Sequence, residues 1–96
     1  MNLSGLDKQI VIEICKRNDI SYCALFGSFA RGEATPDSDI DLMVRYSKSR
    51  GFDWLDAALE IEEVLGRKVD LTTEAGLNRH VRPHVLRDLQ VLYGEG

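Results

Sequence analysis

Apolar residues recur along this chain with two different periods, and the alternation between them lays out a fold. From Leu6 the spacing is helical, with Leu6, Ile10 and Ile14 at steps of four and Val11 and Cys15 alongside. That stripe predicts an amphipathic helix ending near Asn18. Ser4-Gly5-Leu6-Asp7 would open it as a capping box with Asp7 where Glu is more usual. Tyr22-Cys23-Ala24-Leu25-Phe26 is a short continuous apolar run closed by Gly27-Ser28, and it reads as a buried strand. Phe29-Ala30-Arg31 begins a helical turn closed by Gly32, and the stretch 33–38, with Pro36 and Asp37, is a surface loop. Residues 39–46 form a second strand. Side chains alternate there, so Ile40, Leu42 and Val44 face a core while Asp39, Asp41 and Met43 share the opposite face.

The second half continues the pattern. A polar, basic connection runs from Ser47 to Gly51. Phe52, Leu55, Leu59, Ile61, Val64 and Leu65 then predict an amphipathic helix stopped by Gly66, with Glu60, Glu62 and Glu63 on its exposed side and Trp54 as a packing residue. A strand at 68–72 and a loop near 74–76 follow. Pro83 suits the first position of a last helix running to about Leu89. Val91-Leu92-Tyr93 fits a short strand or the end of that helix equally well, with Tyr93 as a packing residue either way. Strands alternating with helices make an α/β chain. Its 96 residues suit a single domain spanning 1–96, with one modest core.

Composition narrows the picture by exclusion. A formal charge of −4 lacks the basic footprint of a general nucleic-acid binder, so direct nucleic-acid binding is not expected. A nucleotide substrate stays open, because metal ions can carry the positive charge. No apolar run approaches the roughly 20 residues that span a bilayer, and the N-terminus lacks a signal-peptide pattern, so no membrane is involved and the cytoplasm is expected. Cys15 and Cys23 lack zinc-like spacing; they are expected to pack in the first helix and first strand, and a bridge is disfavoured in a reducing compartment. His80 and His84 are four apart, but Pro83 lies between them. With Arg79, Arg82 and Arg87 nearby, a solvated basic face or a partner contact is the simpler reading than zinc.

The candidate chemistry sits between residues 27 and 41. Gly27-Ser28 is followed by ten residues and then Asp39-Ile40-Asp41. Two carboxylates at i and i+2 of a strand lie roughly 7 Å apart at their α-carbons and can lean toward one point. Hard cations such as Mg²⁺ take carboxylates together with substrate phosphates. A glycine lets backbone approach a ligand closely, and the start of a helix offers unpaired N–H groups to an anion. Ser28 adds a hydroxyl and Arg31 a charge one turn later. One half can hold phosphates and the other metal ions.

Gly-Ser, ten residues, Asp-x-Asp resembles the signature of the polymerase β-like nucleotidyltransferase superfamily. The run Gly27 to Gly32 with Ser38-Asp39-Ile40-Asp41-Leu42 most resembles its minimal nucleotidyltransferase branch, over nearly the whole chain. The resemblance implies a small mixed β-sheet with helices packed mainly on one face and carboxylates on the open side. It implies a third carboxylate on a later strand, matched by Asp70 in Lys68-Val69-Asp70-Leu71-Thr72, which activates the attacking hydroxyl. Asp70 also stands on its own terms: Val69 and Leu71 alternate with it, so it points away from the apolar side of its strand. Asp39, Asp41 and Asp70 would be catalytic and metal-binding, with two Mg²⁺ ions expected once nucleotide is bound. Gly27, Ser28 and Arg31 would bind the nucleotide.

The resemblance further implies an antitoxin paired with a HEPN-domain ribonuclease toxin, moving AMP from ATP to a tyrosine of that partner. The chain is short for an acceptor domain of its own, which fits an acceptor supplied by a partner. Two other readings stay open: a non-catalytic antitoxin that blocks its toxin by binding, and a nucleotidyltransferase acting on a small molecule of the antibiotic type.

Overall fold

In the computed structural model, residues 3–47 and 54–94 are described. Phe52 and the connection at 48–51 lie outside the described residues, as do the side chains of Trp54 and Leu55. The elements are α1 (Gly5–Arg17), β1 (Ile20–Phe26), α2 (Gly27–Arg31), β2 (Ile40–Tyr46), α3 (Trp54–Leu65), β3 (Val69–Thr73), a 3₁₀ turn (Glu74–Gly76), α4 (Arg82–Asp88) and β4 (Gln90–Tyr93). The four strands form one sheet in the order β3-β2-β1-β4. β1 pairs antiparallel with β2 and β4, and β2 pairs parallel with β3, so the sheet is mixed.

Local chemistry sets most boundaries. The Ser4 hydroxyl accepts from the Asp7 backbone N–H at 3.0 Å, which caps α1. Gly66, at φ +67°, ends α3 in a conformation that strongly favours glycine. The last helix opens at Arg82, one residue before Pro83, because proline is tolerated throughout the first turn, where N–H groups lack helical partners. The undecided segment near the C-terminus is a strand. β4 extends the sheet beyond β1, a pairing with a distant segment that no local pattern encodes.

The main core lies between one sheet face and the two longer helices. Val11, Ile14 and Cys15 of α1 and Ala57, Ala58 and Ile61 of α3 meet Ile20, Cys23, Leu25, Ile40, Leu42 and Val44. Removing one such side chain, as in Leu42→Ala, would cost about 2–5 kcal/mol. Two expectations about these helices are corrected. Leu6 is 71% exposed, and Leu59 and Val64 are also exposed. The rest of each stripe holds: Ile10, Val11, Ile14 and Cys15 of α1 and Ile61 and Leu65 of α3 reach the core, while Ala57 and Ala58 are buried in α3 where Leu59 and Val64 are not. The glutamates of α3 are not simply solvated either. Glu60 accepts from Asn18 Nδ2 and pairs with Arg17, and Glu62 Oε1 accepts the Val69 N–H at 2.9 Å, pinning the start of β3. Only Glu63 is exposed as expected. Cys15 and Cys23 are buried free thiols in this core, in the helix and strand expected of them. A hydrogen bond with Cys15, then burial, pushes the Cys23 thiol up. Tyr93 packs against the same cluster, with Lys16 over its ring.

A smaller cluster covers part of the opposite face, where Val85 of α4 rests on Tyr22, Ala24 and Met43, flanked by Phe26, Leu77 and Leu89. Charges clamp the start of α4. Glu74 accepts from Arg45 Nε at 2.7 Å and from Arg82 Nη2 at 3.1 Å, and Arg45 also stacks on the Tyr22 ring. The hydrogen bond from Arg45 is the main reason the Glu74 carboxyl is held below its ordinary value. A carboxyl lowered on folding stabilises the fold above its unfolded value, near pH 4, and that contribution vanishes as pH falls through the folded value. Glu74→Gln should therefore melt below wild type at pH 7, by at most about 1 kcal/mol per lost pair. Thermal melts across pH should show the gap closing as the medium becomes more acidic than the ordinary glutamate range.

Candidate active site

The end of β1, the loop into β2 and the start of β3 come together on the face opposite the main core. In the parallel ladder Asp41 lies directly beside Asp70, and Met43 beside Thr72. Neighbouring strands are about 4.8 Å apart, so the two carboxylates leave adjacent backbones on the same side. Asp39 is exposed and stands just before β2, one residue outside the strand expected to include it; Asp41 is half-buried and Asp70 exposed. None of the three makes a hydrogen bond or ion pair with another described residue. Unpaired carboxylates gathered on one patch work against stability, which is a frequent mark of function.

Asp41 registers the crowding. Burial first, then the charges of Asp70 and Asp39, raise its carboxyl above the ordinary aspartate value, while Arg31 pulls it down. The donor set is all carboxylate oxygen, which suits a hard divalent cation that keeps waters and takes phosphate oxygens. Among the described residues no three acidic or histidine side chains close into a ready-made cage.

Gly27 begins α2 at φ +73° and lies against Asp41. A Cβ there would press into Asp41 Oδ2. Glycine thus answers two demands at once: a left-handed backbone and room for the carboxylate. Next to it, the half-buried Ser28 leaves its hydroxyl without a hydrogen-bond partner among the described residues, and the first N–H groups of α2 have no helical acceptor. The structure therefore brings Gly27, Ser28, Asp39, Asp41 and Asp70 together. Arg31 lies one turn further on, at the other end of α2. Its Nε donates to Glu33 Oε2 at 3.2 Å and its Nη1 to Asp88 Oδ2 at 2.9 Å. Arg31 and Gly32 also border an open cleft of about 450 Å³, with Lys8 and Gln90 on its rim.

Two further residues act on the site, and sequence reading missed both. Arg67 Nη1 donates to the carbonyls of Thr35, Pro36 and Ser38, and its guanidinium stacks on Phe29 at 5.1 Å. It ties the loop that delivers Asp39 to the helix that carries Ser28. Glu74 is the other, though it holds the start of α4 through Arg82 and Arg45 rather than touching the acids. A cation just after Gly66 and an acid just after β3 carry no motif, so no local signal points to either. His80 and His84 are both exposed. His80 sits in the turn before α4 and His84 in its first turn, so no single helix presents the pair. In the basic stretch between them Arg82 is engaged by Glu74, while Arg79 and Arg87 face solvent.

A small mixed sheet sets paired acids beside a glycine-serine helix start, groups whose chemistry suits cations and phosphate esters. The family described as polymerase beta, nucleotidyltransferase, matches residues 9–95, and the chain belongs to that family. It is 30% identical over 89 residues to a Methanocaldococcus jannaschii protein provisionally named a protein adenylyltransferase, covering 92% of this chain and 95% of that protein. It is 31% identical over 78 residues to the protein adenylyltransferase MntA of Thermococcus cleftensis, covering 80% and 79%. Among solved structures it resembles one provisionally described as a minimal nucleotidyltransferase, at TM-score 0.77 and 37% identity, with 88% of each chain covered. The same fold recurs, at 20% identity and TM-score 0.73, in a structure of a tri-AMPylated Shewanella oneidensis HEPN toxin in complex with an MNT antitoxin, covering 94% of this chain and 71% of that one.

Two outcomes follow from this geometry. Gly27→Ala should lose nucleotide binding and about 1–2 kcal/mol of stability, since a left-handed alanine is strained and its methyl displaces Asp41. Titration with nucleotide and a chemical melt read the two effects separately. Asp41→Asn should melt above wild type in EDTA at neutral pH. A carboxyl raised on folding stabilises below its unfolded value and forfeits that as pH rises through the folded value, so the advantage should disappear in acid, where wild-type Asp41 is protonated. Thermal melts at both pH values check the sign.

Proposed function

We propose that this nucleotidyltransferase moves AMP from ATP to a hydroxyl of a partner protein, a tyrosine of a cognate HEPN-type ribonuclease toxin, and acts as an antitoxin by doing so. The observation that carries this reading is the register placing Asp41 beside Asp70, with Gly27 packed against Asp41. The naming of two relatives at 30% identity or more as protein adenylyltransferases supports it, and the fold shared with MNT antitoxins points to the partner.

In this reading Asp39 and Asp41, with Asp70 at their side, would hold two Mg²⁺ ions. When bound, these would offset the phosphate charge and stabilise the attacking and leaving oxygens. Gly27 offers close backbone approach and Ser28 a free hydroxyl to the β- and γ-phosphates, with Arg31 near their far end. The tyrosine oxygen attacks the α-phosphorus, the bond from that phosphorus to the bridging oxygen breaks, and pyrophosphate leaves. Asp70, exposed beside Asp41, orients the hydroxyl and accepts its proton. A partner hydroxyl can reach this point because the carboxylates lie on the sheet face beside the part that α4 covers. No helix among the described residues is long and apolar enough to cross a membrane, and the cytoplasm, where ATP and Mg²⁺ are plentiful, is the setting we infer.

The test mixes a substoichiometric amount of the protein with toxin, labelled ATP and Mg²⁺, then removes the protein. Label should appear on a toxin tyrosine and the toxin should stay inactive. Asp41→Asn should lower transfer by about 10²-fold or more while the chain stays folded. An unlabelled toxin that regains activity on removal would mean blocking by binding. Label found only on a small-molecule acceptor would mean a different substrate class.

A further inference from the structure

We propose that Asp88 is a positioning residue for nucleotide binding: it holds the Arg31 guanidinium in place, so that the unused edge of that group meets the β- or γ-phosphate. The inference rests on the nucleotide reading above and adds a residue which that reading does not use.

Asp88 sits where helix physics disfavours it. It is the last residue of α4, and the C-terminal end of a helix carries partial negative charge that a carboxylate opposes. Its partner comes from 57 residues away: Arg31 Nη1 donates to Asp88 Oδ2 at 2.9 Å. α4 is itself fixed, by Val85 in the smaller core cluster and by the Arg82–Glu74–Arg45 clamp at its other end. Asp88, at 22% exposure, is therefore a firm anchor, whereas Glu33, at 66%, is a loose one.

The anchor aims the arginine. Residues three apart on a helix share a side, and helical side chains lean toward the N-terminus. Arg31 thus shares a side of α2 with Ser28. A guanidinium has five N–H donors. Nε is engaged by Glu33 and one Nη1 hydrogen by Asp88, so Nη2 has no partner among the described residues. Left untethered, a long arginine samples many rotamers, and gathering them on binding weakens affinity. Asp88 removes that freedom beforehand while leaving three donors, two of them on Nη2, for phosphate. The competing role, a strut that only holds α4 to α2, would affect all nucleotides alike.

The test measures ATP and AMP binding to the full chain in Mg²⁺, by displacement of a fluorescent nucleotide. Asp88→Ala should weaken ATP by about tenfold or more, the scale of a lost charge-assisted contact, and AMP by less than about twofold. In an Arg31→Ala background the same substitution should change ATP binding by less than about twofold, because its effect runs through Arg31. If Asp88→Ala fails to fold, Asp88→Asn carries the same comparison, with a smaller loss of ATP affinity expected. Unchanged or tighter ATP binding would overturn the proposal, and so would equal losses for ATP and AMP. A wild type that binds neither nucleotide overturns the nucleotide reading itself, and this inference with it.

Discussion

The parallel pairing of β2 with β3 is the constraint on which the rest of this structure depends. It is the one parallel contact in a sheet whose other pairings are antiparallel. Parallel neighbours need a crossover, and α3 supplies it, packed on the same face as α1. Because the crossover lies on that face, the part of the other face that α4 does not cover is open to polar groups. The register then sets Asp41 beside Asp70, while Ile40, Leu42, Val69 and Leu71 fill the core beneath them. A slip of one residue would bury the acids and expose the core, so the apolar side of each strand fixes the chemistry of the other.

The energies involved are unequal. Each large core side chain contributes a few kcal/mol, whereas each exposed ion pair contributes at most about 1 kcal/mol. The fold is held by the layer between the sheet and α1 and α3. The charged contacts on the other face have a different task, which is to place things. Glu74 and Asp88 fix the two ends of α4, and Arg67 fixes the loop before Asp39. Against that ordered surround the three carboxylates have no hydrogen-bond or ion-pair partner among the described residues, and Asp41 is raised by its burial and its neighbours. An ordered frame around acids of this kind is what the proposed cation and polyphosphate site would require.

Much of this was legible in the chain. Alternation put Asp41 and Met43 on one face of β2 and Leu42 and Val44 on the other, and the two core clusters hold Met43 and the Leu42–Val44 pair separately. Helix stripes were read less well. Leu6 and Leu59 fit a helical period yet lie exposed, because periodicity reports which residues share a side but not which side a neighbouring sheet will meet. By its helical position Glu62 reads as a solvated residue, yet β3 brings the Val69 N–H to it.

What the sequence determined by itself was therefore whatever depends on near neighbours: the Ser4 cap, the stop at Gly66, the strand faces, and the glycine-serine turn before the acids. Those follow from sterics and hydrogen bonds within a few residues. What only the tertiary structure decided was whatever needs two distant segments to meet. The position of Asp70 beside Asp41 and the strand character of 90–93 belong here, as do the reach of Arg67 to the 35–38 loop and the meeting of Arg31 with Asp88. No local propensity encodes such pairings, because their energy exists only once the core has closed and carried the partners within a few ångströms of each other.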